Sequence, residues 1–95
     1  MGRRPGLVVQ NDLLNDSKLN TVIVVTITST LRYGELPGNV ILQQGEANLP
    51  IRSVVNMTQI KTVDKNSLKE MIGSLTKNRL AEVYEGMKLV MDIPS

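Results

Sequence analysis

The sequence contains neither cysteine nor histidine. Without cysteine, the chain cannot form a disulfide, attack with a thiol, or supply thiolates to a structural zinc site. Without histidine, it lacks the side chain that most often transfers protons near neutral pH. Any catalytic site must therefore be built from arginine, lysine, carboxylates and hydroxyls, and we expect neither a metal nor a cofactor.

Aromatic residues are scarce, because Tyr33 and Tyr84 are the only two. A conventional aromatic platform for stacking nucleobases is therefore missing, and the core must be built from Val, Ile, Leu and Met. Long apolar runs are missing as well. The run after the basic start, Leu7-Val8-Val9, is too short for a signal peptide or a membrane span. These absences predict a cytoplasmic protein with no membrane partner.

The length of 95 residues predicts a single domain spanning residues 1–95, which buries about 60–65% of its unfolded surface. The formal net charge is +2, and between Arg52 and Arg79 there are six bases against two acids. Such a stretch fits a solvated face as well as it fits a nucleic-acid interface, so charge alone does not decide between them.

The strongest secondary-structure signal is the segment Thr21–Thr28, in which every residue is β-branched. Such side chains suit a pleated sheet better than a helix. Neither alternating face is consistently polar, which predicts a central strand buried on both sides. The strand ends in hydroxyl-bearing residues that continue through Ser29 and Thr30.

The remaining segments predict an α+β fold with a small, curved antiparallel sheet. Further strands are expected over residues 6–10, 39–43 and 53–60, with a loop or wide hairpin turn over residues 31–38. Asp64 is expected to cap a single turn over residues 65–67. Residues 68–75 fit either a strand or a helix, and the loop carboxylates Glu35 and Glu46 are interpreted as solvated.

The last element is predicted to be a helix that Thr76 caps and Pro94 ends. Apolar residues recur in it at spacings of three and four, which is typical of a helix face that packs on a core. That predicted core stripe consists of Leu80, Val83, Tyr84, Met87, Val90 and Met91.

Several blocks, specific in combination and order, make the chain from Arg4 to about Val90 resemble the MazF/PemK family of toxin endoribonucleases. They are Arg4-Pro5 before an apolar strand, Gln10-Asn11-Asp12, Thr21-Val22-Ile23-Val24, Ile27-Thr28-Ser29, Pro37-Gly38-Asn39-Val40, Ser53-Val54-Val55-Asn56, Gln59-Ile60-Lys61-Thr62-Val63-Asp64-Lys65, and Ile72-Gly73-Ser74-Leu75 before the helix.

The resemblance implies a small SH3-like barrel of curved antiparallel strands with a carboxyl-terminal helix, assembled as a homodimer. It also implies the toxin of a type II toxin–antitoxin system, neutralised by a MazE-like antitoxin. The implied activity is sequence-specific, metal-independent cleavage of single-stranded mRNA, in which the ribose 2′-hydroxyl attacks the adjacent phosphate.

The resemblance places the family's catalytic arginine at Arg4 and its strand-end threonine at Thr28. A guanidinium offers a planar fork of donors to the charge that develops on the phosphate, and a hydroxyl can fix the reacting geometry. Ser29, Gln59 and Lys61 lie in matching blocks and are expected to contact RNA. The proton carriers stay open, because either an unusual environment of Arg4 or the substrate and water could supply them.

The chain departs from the family pattern at its start. Family members normally have a strand and a loop with a Gly-Ser-Glu-Gln stretch ahead of the Arg-Pro motif, whereas only Met1-Gly2-Arg3 precede Arg4 here. This departure keeps a second hypothesis open. The chain could be a catalytically inactive MazF-like module that binds an antitoxin, RNA or a partner protein, in the manner of the CcdB toxins that bind gyrase.

Overall fold

The computed structural model describes residues 5–9, 20–68 and 71–91. Its antiparallel sheet has the strand order β1-β2-β4-β3. The strands are β1 (Gly6–Val8), β2 (Thr21–Thr28), β3 (Val40–Leu42) and β4 (Ser53–Asp64), and the helix α1 covers Lys77–Met91. Three short 3₁₀ turns lie at Leu31–Glu35, Glu46–Asn48 and Lys65–Ser67. The predicted α+β class is confirmed.

The strand β2 is central, as predicted, because it pairs with β1 on one side and with β4 on the other. Val24 and Val25 are both buried, so the middle of the strand is covered on both faces. The start of β2 is not, since Thr21 and Ile23 are exposed. Here the prediction of two buried faces is wrong, because this end of β2 pairs with Thr62 and Asp64, which are exposed as well.

Of the two alternatives for residues 31–38, the loop is realised and the hairpin turn is not, because β2 and β3 are not neighbours in the sheet. Strand β3 pairs with β4 through Val40↔Val55, and β4 in turn pairs with β2 through Thr28↔Val54. The segment between β2 and β3 forms the 3₁₀ turn Leu31–Glu35 and then carries the chain across the end of β4. β4, the longest strand among the described residues, pairs with β2 along one edge and with β3 along the other.

The main core lies between one face of the sheet and α1. Its fully buried side chains include Leu42, Val55 and Met57 from the sheet and Val83 from the helix. The helix begins where predicted, since the Arg79 amide donates to Thr76 Oγ1 at 3.2 Å. Burying these apolar side chains stabilises the fold by about 1.5–3 kcal/mol each.

Only part of the predicted helix stripe packs on this core. Tyr84, Val90 and Met91 are 45%, 40% and 55% exposed. The helix makes a close approach near Gly86, where a Cβ would overlap the carbonyl oxygen of Gly38, whose φ is +88°. The helix therefore rests on a turn backbone at this point, and its last residues extend beyond the core.

The segment that precedes the helix is irregular over residues 71–76, so neither alternative for it is realised there. It is held against the turn at Glu46–Asn48, because Asn48 Nδ2 donates to the Ile72 carbonyl oxygen at 2.5 Å. Gly73 packs so closely on Ala47 that a Cβ would overlap its carbonyl group. The turn Lys65–Ser67 forms as predicted, but Ser67 Oγ closes it by donating to the Asp64 carbonyl oxygen at 2.7 Å.

Candidate active site

Thr28 is the last residue of β2 and carries one of the hydroxyls predicted at the strand end. This residue is half-buried and pairs with Val54 of β4. Its Oγ1 accepts a hydrogen bond from the Thr30 amide at 3.2 Å, the local contact by which Ser and Thr commonly shape turns. Because the oxygen is the acceptor in this contact, the hydroxyl proton can still be donated to another group. The adjacent Ser29 is exposed.

Arg4 lies outside the described residues, but the next residue is described. The Ile27 amide donates to the Pro5 carbonyl oxygen at 3.1 Å, and Gly6 pairs with Thr26. Strand β1 therefore enters the sheet beside the last residues of β2. The start of the described chain and the end of β2 lie at the same end of the sheet.

Gln59 and Lys61 are exposed on β4, but at some distance from Thr28. Lys61 pairs with Val24, four positions before Thr28 on β2, which corresponds to about 13 Å along the strand. The structure therefore brings Ser29 next to Thr28, whereas Gln59 and Lys61 lie farther along the sheet. A single-stranded nucleic acid that lies extended along the sheet would span this separation, because protein sites for single strands cover several nucleotides.

A polar network beside this end of the sheet was not predicted from the sequence. Asn56 is 6% exposed, and its Oδ1 accepts hydrogen bonds from Thr58 Oγ1 at 2.8 Å and from Asn39 Nδ2 at 3.3 Å. Asn39 Nδ2 also donates to the Tyr33 carbonyl oxygen at 2.9 Å, and Asn39 Oδ1 accepts from the Met57 amide at 2.8 Å. An asparagine among apolar residues of a predicted strand was the available signal.

The interpretation of Glu46 as solvated is wrong. Its carboxylate makes a bidentate ion pair with Arg79, with Oε1–Nη2 and Oε2–Nε distances of 2.6 Å and 2.8 Å. The hydrogen bonds from Arg79 lower the pKa of Glu46, and the Gln43 amide reinforces this at 2.8 Å. The same hydrogen bonds raise the pKa of Arg79, which also contacts Glu82. Arg79 is therefore committed to carboxylates and does not add to the basic stretch.

Among the described residues, the exposed cations Arg52, Lys61 and Lys77 near the sheet and helix remain available to an anionic ligand. In the 3₁₀ turn after Thr28, the exposed Arg32 guanidinium lies over the Tyr33 ring, 5.5 Å from its centroid. Within the described part of the chain, no group of three or more acidic side chains could hold a metal ion. None of the described helices is long and apolar enough to cross a membrane.

Known proteins are similar to this chain in sequence and in architecture. The family model of PemK-like, MazF-like toxins of type II toxin–antitoxin systems matches residues 1–91. The chain is 42% identical over 91 residues to endoribonuclease MazF6 of Mycobacterium tuberculosis, covering 96% of this chain and 80% of that protein. It is 33% identical over 92 residues to endoribonuclease MazF of Staphylococcus saprophyticus, covering 97% of this chain and 76% of the relative.

Solved structures give the same result for the fold. The M. tuberculosis toxin MazF-mt6 superimposes with a TM-score of 0.84 at 25% identity, covering 97% of this chain and 89% of that one. A mycobacterial endoribonuclease solved in complex with its cognate antitoxin has a TM-score of 0.83 at 24% identity, covering 99% and 85% of the two chains. The predicted MazF-like barrel and the predicted endoribonuclease activity are confirmed. The chain belongs to the PemK-like, MazF-like toxins of type II toxin–antitoxin systems.

Proposed function

We propose that this endoribonuclease toxin cleaves single-stranded mRNA at short specific sequences, without a metal, and that Arg4 and Thr28 carry the reaction. The observation that supports the pairing most directly is the 3.1 Å hydrogen bond from the Ile27 amide to the Pro5 carbonyl oxygen. This hydrogen bond puts Pro5, the residue that follows Arg4 in the sequence, beside Ile27, the residue that precedes Thr28.

The proposed reaction uses the RNA's own nucleophile. The ribose 2′-oxygen attacks the neighbouring phosphorus and loses its proton, and the bond from phosphorus to the 5′-oxygen breaks. The 5′-oxygen takes up a proton, so the products are a 2′,3′-cyclic phosphate and a free 5′-hydroxyl. Arg4 stabilises the negative charge on the phosphate oxygens through its planar donors, and remains charged throughout. Thr28 donates its hydroxyl proton to one of these oxygens and fixes their position.

Ser29, Gln59 and Lys61 bind the RNA strand on either side of the cleaved bond in this proposal. Lys61 and the exposed Arg52 attract the phosphates, whereas the Gln59 amide can bond to the edges of bases. Their spread along β2 and β4 fits a strand of several nucleotides rather than a single nucleotide.

The partners follow from the same surface. A MazE-like antitoxin with an acidic, disordered segment would cover the exposed cations and so compete with RNA. A homodimer is supported by apolar side chains that the single chain leaves in solvent, among them Met71 at 82% and Leu89 at 61% exposure. An mRNA substrate and a chain without cysteine both fit a single-domain protein of the cytoplasm.

The test is cleavage of a long single-stranded RNA by the purified chain in EDTA. The unaltered chain should give discrete fragments with cyclic phosphate ends. We expect Arg4→Ala and Thr28→Val each to lower the rate by about 100-fold to 1,000-fold, the loss typical of removing one preorganised donor.

Thr21→Val is the matched control, because Thr21 is an exposed threonine at the opposite end of the same strand. It should leave the cleavage rate within about twofold, as expected of a surface substitution away from the site. Intact RNA together with retained binding of an acidic antitoxin would contradict the proposal, and would instead support a non-catalytic binding module.

A further inference from the structure

Three consecutive residues in the interior of strand β4 have no pairing partner in β2. Thr26 pairs with Asn56, but the preceding residue Val25 pairs with Ile60, so residues 57–59 bulge from the ladder. Met57 is 1% exposed, so its backbone amide needs a hydrogen-bond acceptor inside the protein. Asn39 Oδ1 is that acceptor, at 2.8 Å. A side chain at the start of β3 thus supplies the acceptor for this buried amide.

The nitrogen of the Asn39 side chain contacts a different segment, the turn after β2. Asn39 Nδ2 donates to the Tyr33 carbonyl oxygen at 2.9 Å and to Asn56 Oδ1 at 3.3 Å. Tyr33 belongs to the 3₁₀ turn that follows Thr28, whereas Asn56 holds Thr58 of the bulge through a 2.8 Å hydrogen bond. Asn39 therefore joins the turn after β2 to the bulge of β4, and neither segment can shift without breaking one of these bonds.

Both joined segments present groups that suit nucleobases. The turn carries the exposed Arg32 guanidinium over the Tyr33 ring, and a guanidinium plane is a surface on which an unstacked base can lie. The bulge carries the exposed amide of Gln59, which can both donate and accept at a base edge. The two segments would read different nucleotides of one strand only if their separation is constant.

We infer that Asn39 is a positioning residue for RNA sequence recognition, which sets the spacing between a base stacked at Arg32 and a base bonded by Gln59. The inference rests on the proposed function. It adds a residue that does not touch the reacting atoms, and it names the turn at Leu31–Glu35 and the bulge at residues 57–59 as the two recognition surfaces. If Asn39 has this role, altering it changes which RNA sequences are cut and leaves the rate of the chemical step unchanged.

The test variant is Asn39→Asp, which keeps an oxygen for the Met57 amide but loses the two hydrogen bonds that Nδ2 donates. A random-sequence pool of single-stranded RNA is cleaved and the products are sequenced. The preference is the ratio of cleavage at the best sequence to cleavage at the next best. A short oligoribonucleotide containing the best site then gives KM and kcat. We expect the preference to fall about tenfold and KM to rise about fivefold, with kcat within about twofold, because only binding geometry is lost.

Asn48→Asp is the matched control. It introduces the same charge and removes the same kind of bond, from Asn48 Nδ2 to the Ile72 carbonyl oxygen, beyond the other end of β3. Simple repulsion of RNA by the new charge would weaken all sequences uniformly, so it would leave the preference unchanged. The control should therefore keep the preference within about twofold, even if its KM rises.

An unchanged preference in a folded Asn39→Asp chain would overturn the inference, as would a loss of kcat alone. If Asn39→Asp melts below the assay temperature, Asn39→Ser is used with the same expectation, because its short hydroxyl cannot bridge the two segments. If the unaltered chain does not cleave the pool, the proposed function fails. The inference is then decided separately, by sequencing the RNA that the unaltered and altered chains retain from the pool: a loss of preference of about tenfold in Asn39→Asp supports it, and an unchanged preference overturns it.

Discussion

The short strand β3 is anchored at its two ends by different chemistry. At its start, the neutral amide of Asn39 joins the turn after Thr28 to the bulge of β4. Beyond its end, the Glu46 carboxylate accepts hydrogen bonds from Arg79 Nη2 and Nε of the helix, at 2.6 Å and 2.8 Å. The first anchor lies beside the candidate active site, and the second ties the sheet to α1.

The comparison indicates that separate groups fix the spacing of segments at the candidate site and stabilise the fold. An amide does not titrate near neutral pH, and its directional bonds fix the spacing of the segments it joins. A partly buried bidentate ion pair is stronger but depends on pH. Changes at the Asn39 end should therefore alter RNA recognition, whereas changes at the Glu46 end should alter unfolding and leave cleavage per folded molecule unchanged.

The largest effect at the Glu46 end is expected from Gly73→Ala. The new Cβ would overlap the Ala47 carbonyl group, so two backbone segments would have to separate. We expect the free energy of unfolding to fall by about 2–3 kcal/mol, the usual cost of overpacking, as measured by urea denaturation. Ser74→Ala, at an exposed neighbouring position, is the control. A change below about 0.5 kcal/mol would show that this contact does not hold the segment.

An intermediate effect is expected from Glu46→Gln. The substitution keeps the size of the side chain but removes the charge that accepts both Arg79 hydrogen bonds. We expect a loss of about 1–2 kcal/mol at pH 7, between the values for exposed ion pairs and for charged hydrogen bonds. Glu35→Gln, in an exposed turn, should change stability by less than about 0.5 kcal/mol.

The pH dependence sharpens the same prediction. Because the hydrogen bonds from Arg79 lower the pKa of Glu46, the folded state holds this carboxyl's proton less tightly than the unfolded state. The stabilisation is present above the unfolded pKa of about 4.3, and is lost as the pH falls through the lower folded pKa. The stability difference between the unaltered chain and Glu46→Gln should therefore shrink below about pH 4. A difference that stays constant to pH 3 would contradict this.

The smallest effect is expected from Ala47→Gly, and it is stabilising. Ala47 has a φ of 50°, in the left-handed region that costs a side-chain-bearing residue about 1–2 kcal/mol. Glycine removes most of this cost but loses more backbone entropy, so we expect a net gain of about 0.5 kcal/mol in thermal unfolding. Ala81→Gly, in the exposed middle of α1, should instead destabilise by about 1 kcal/mol. If both substitutions raise the stability, or both lower it, the assignment of strain to Ala47 is contradicted.

Local patterns predicted the strands, the helix and its cap at Thr76, because β-branched runs and apolar periodicity report on nearby residues. They also marked the strand end at Thr28. They did not predict that β3 pairs with β4, or that Glu46 meets Arg79, because these contacts join segments far apart in the chain. Nor did alternation predict the bulge at residues 57–59, since a register shift depends on the partner strand as well as on β4.

The strand order β1-β2-β4-β3 has a consequence for the order of assembly. Thr28 pairs with Val54, and Thr21 pairs with Asp64, so β2 finds its larger partner only in the second half of the chain. Pairing of such distant segments is slow, and a chain emerging from the ribosome presents β2 well before β4. The nascent chain therefore has no paired strand end at Thr28 until β4 has been translated.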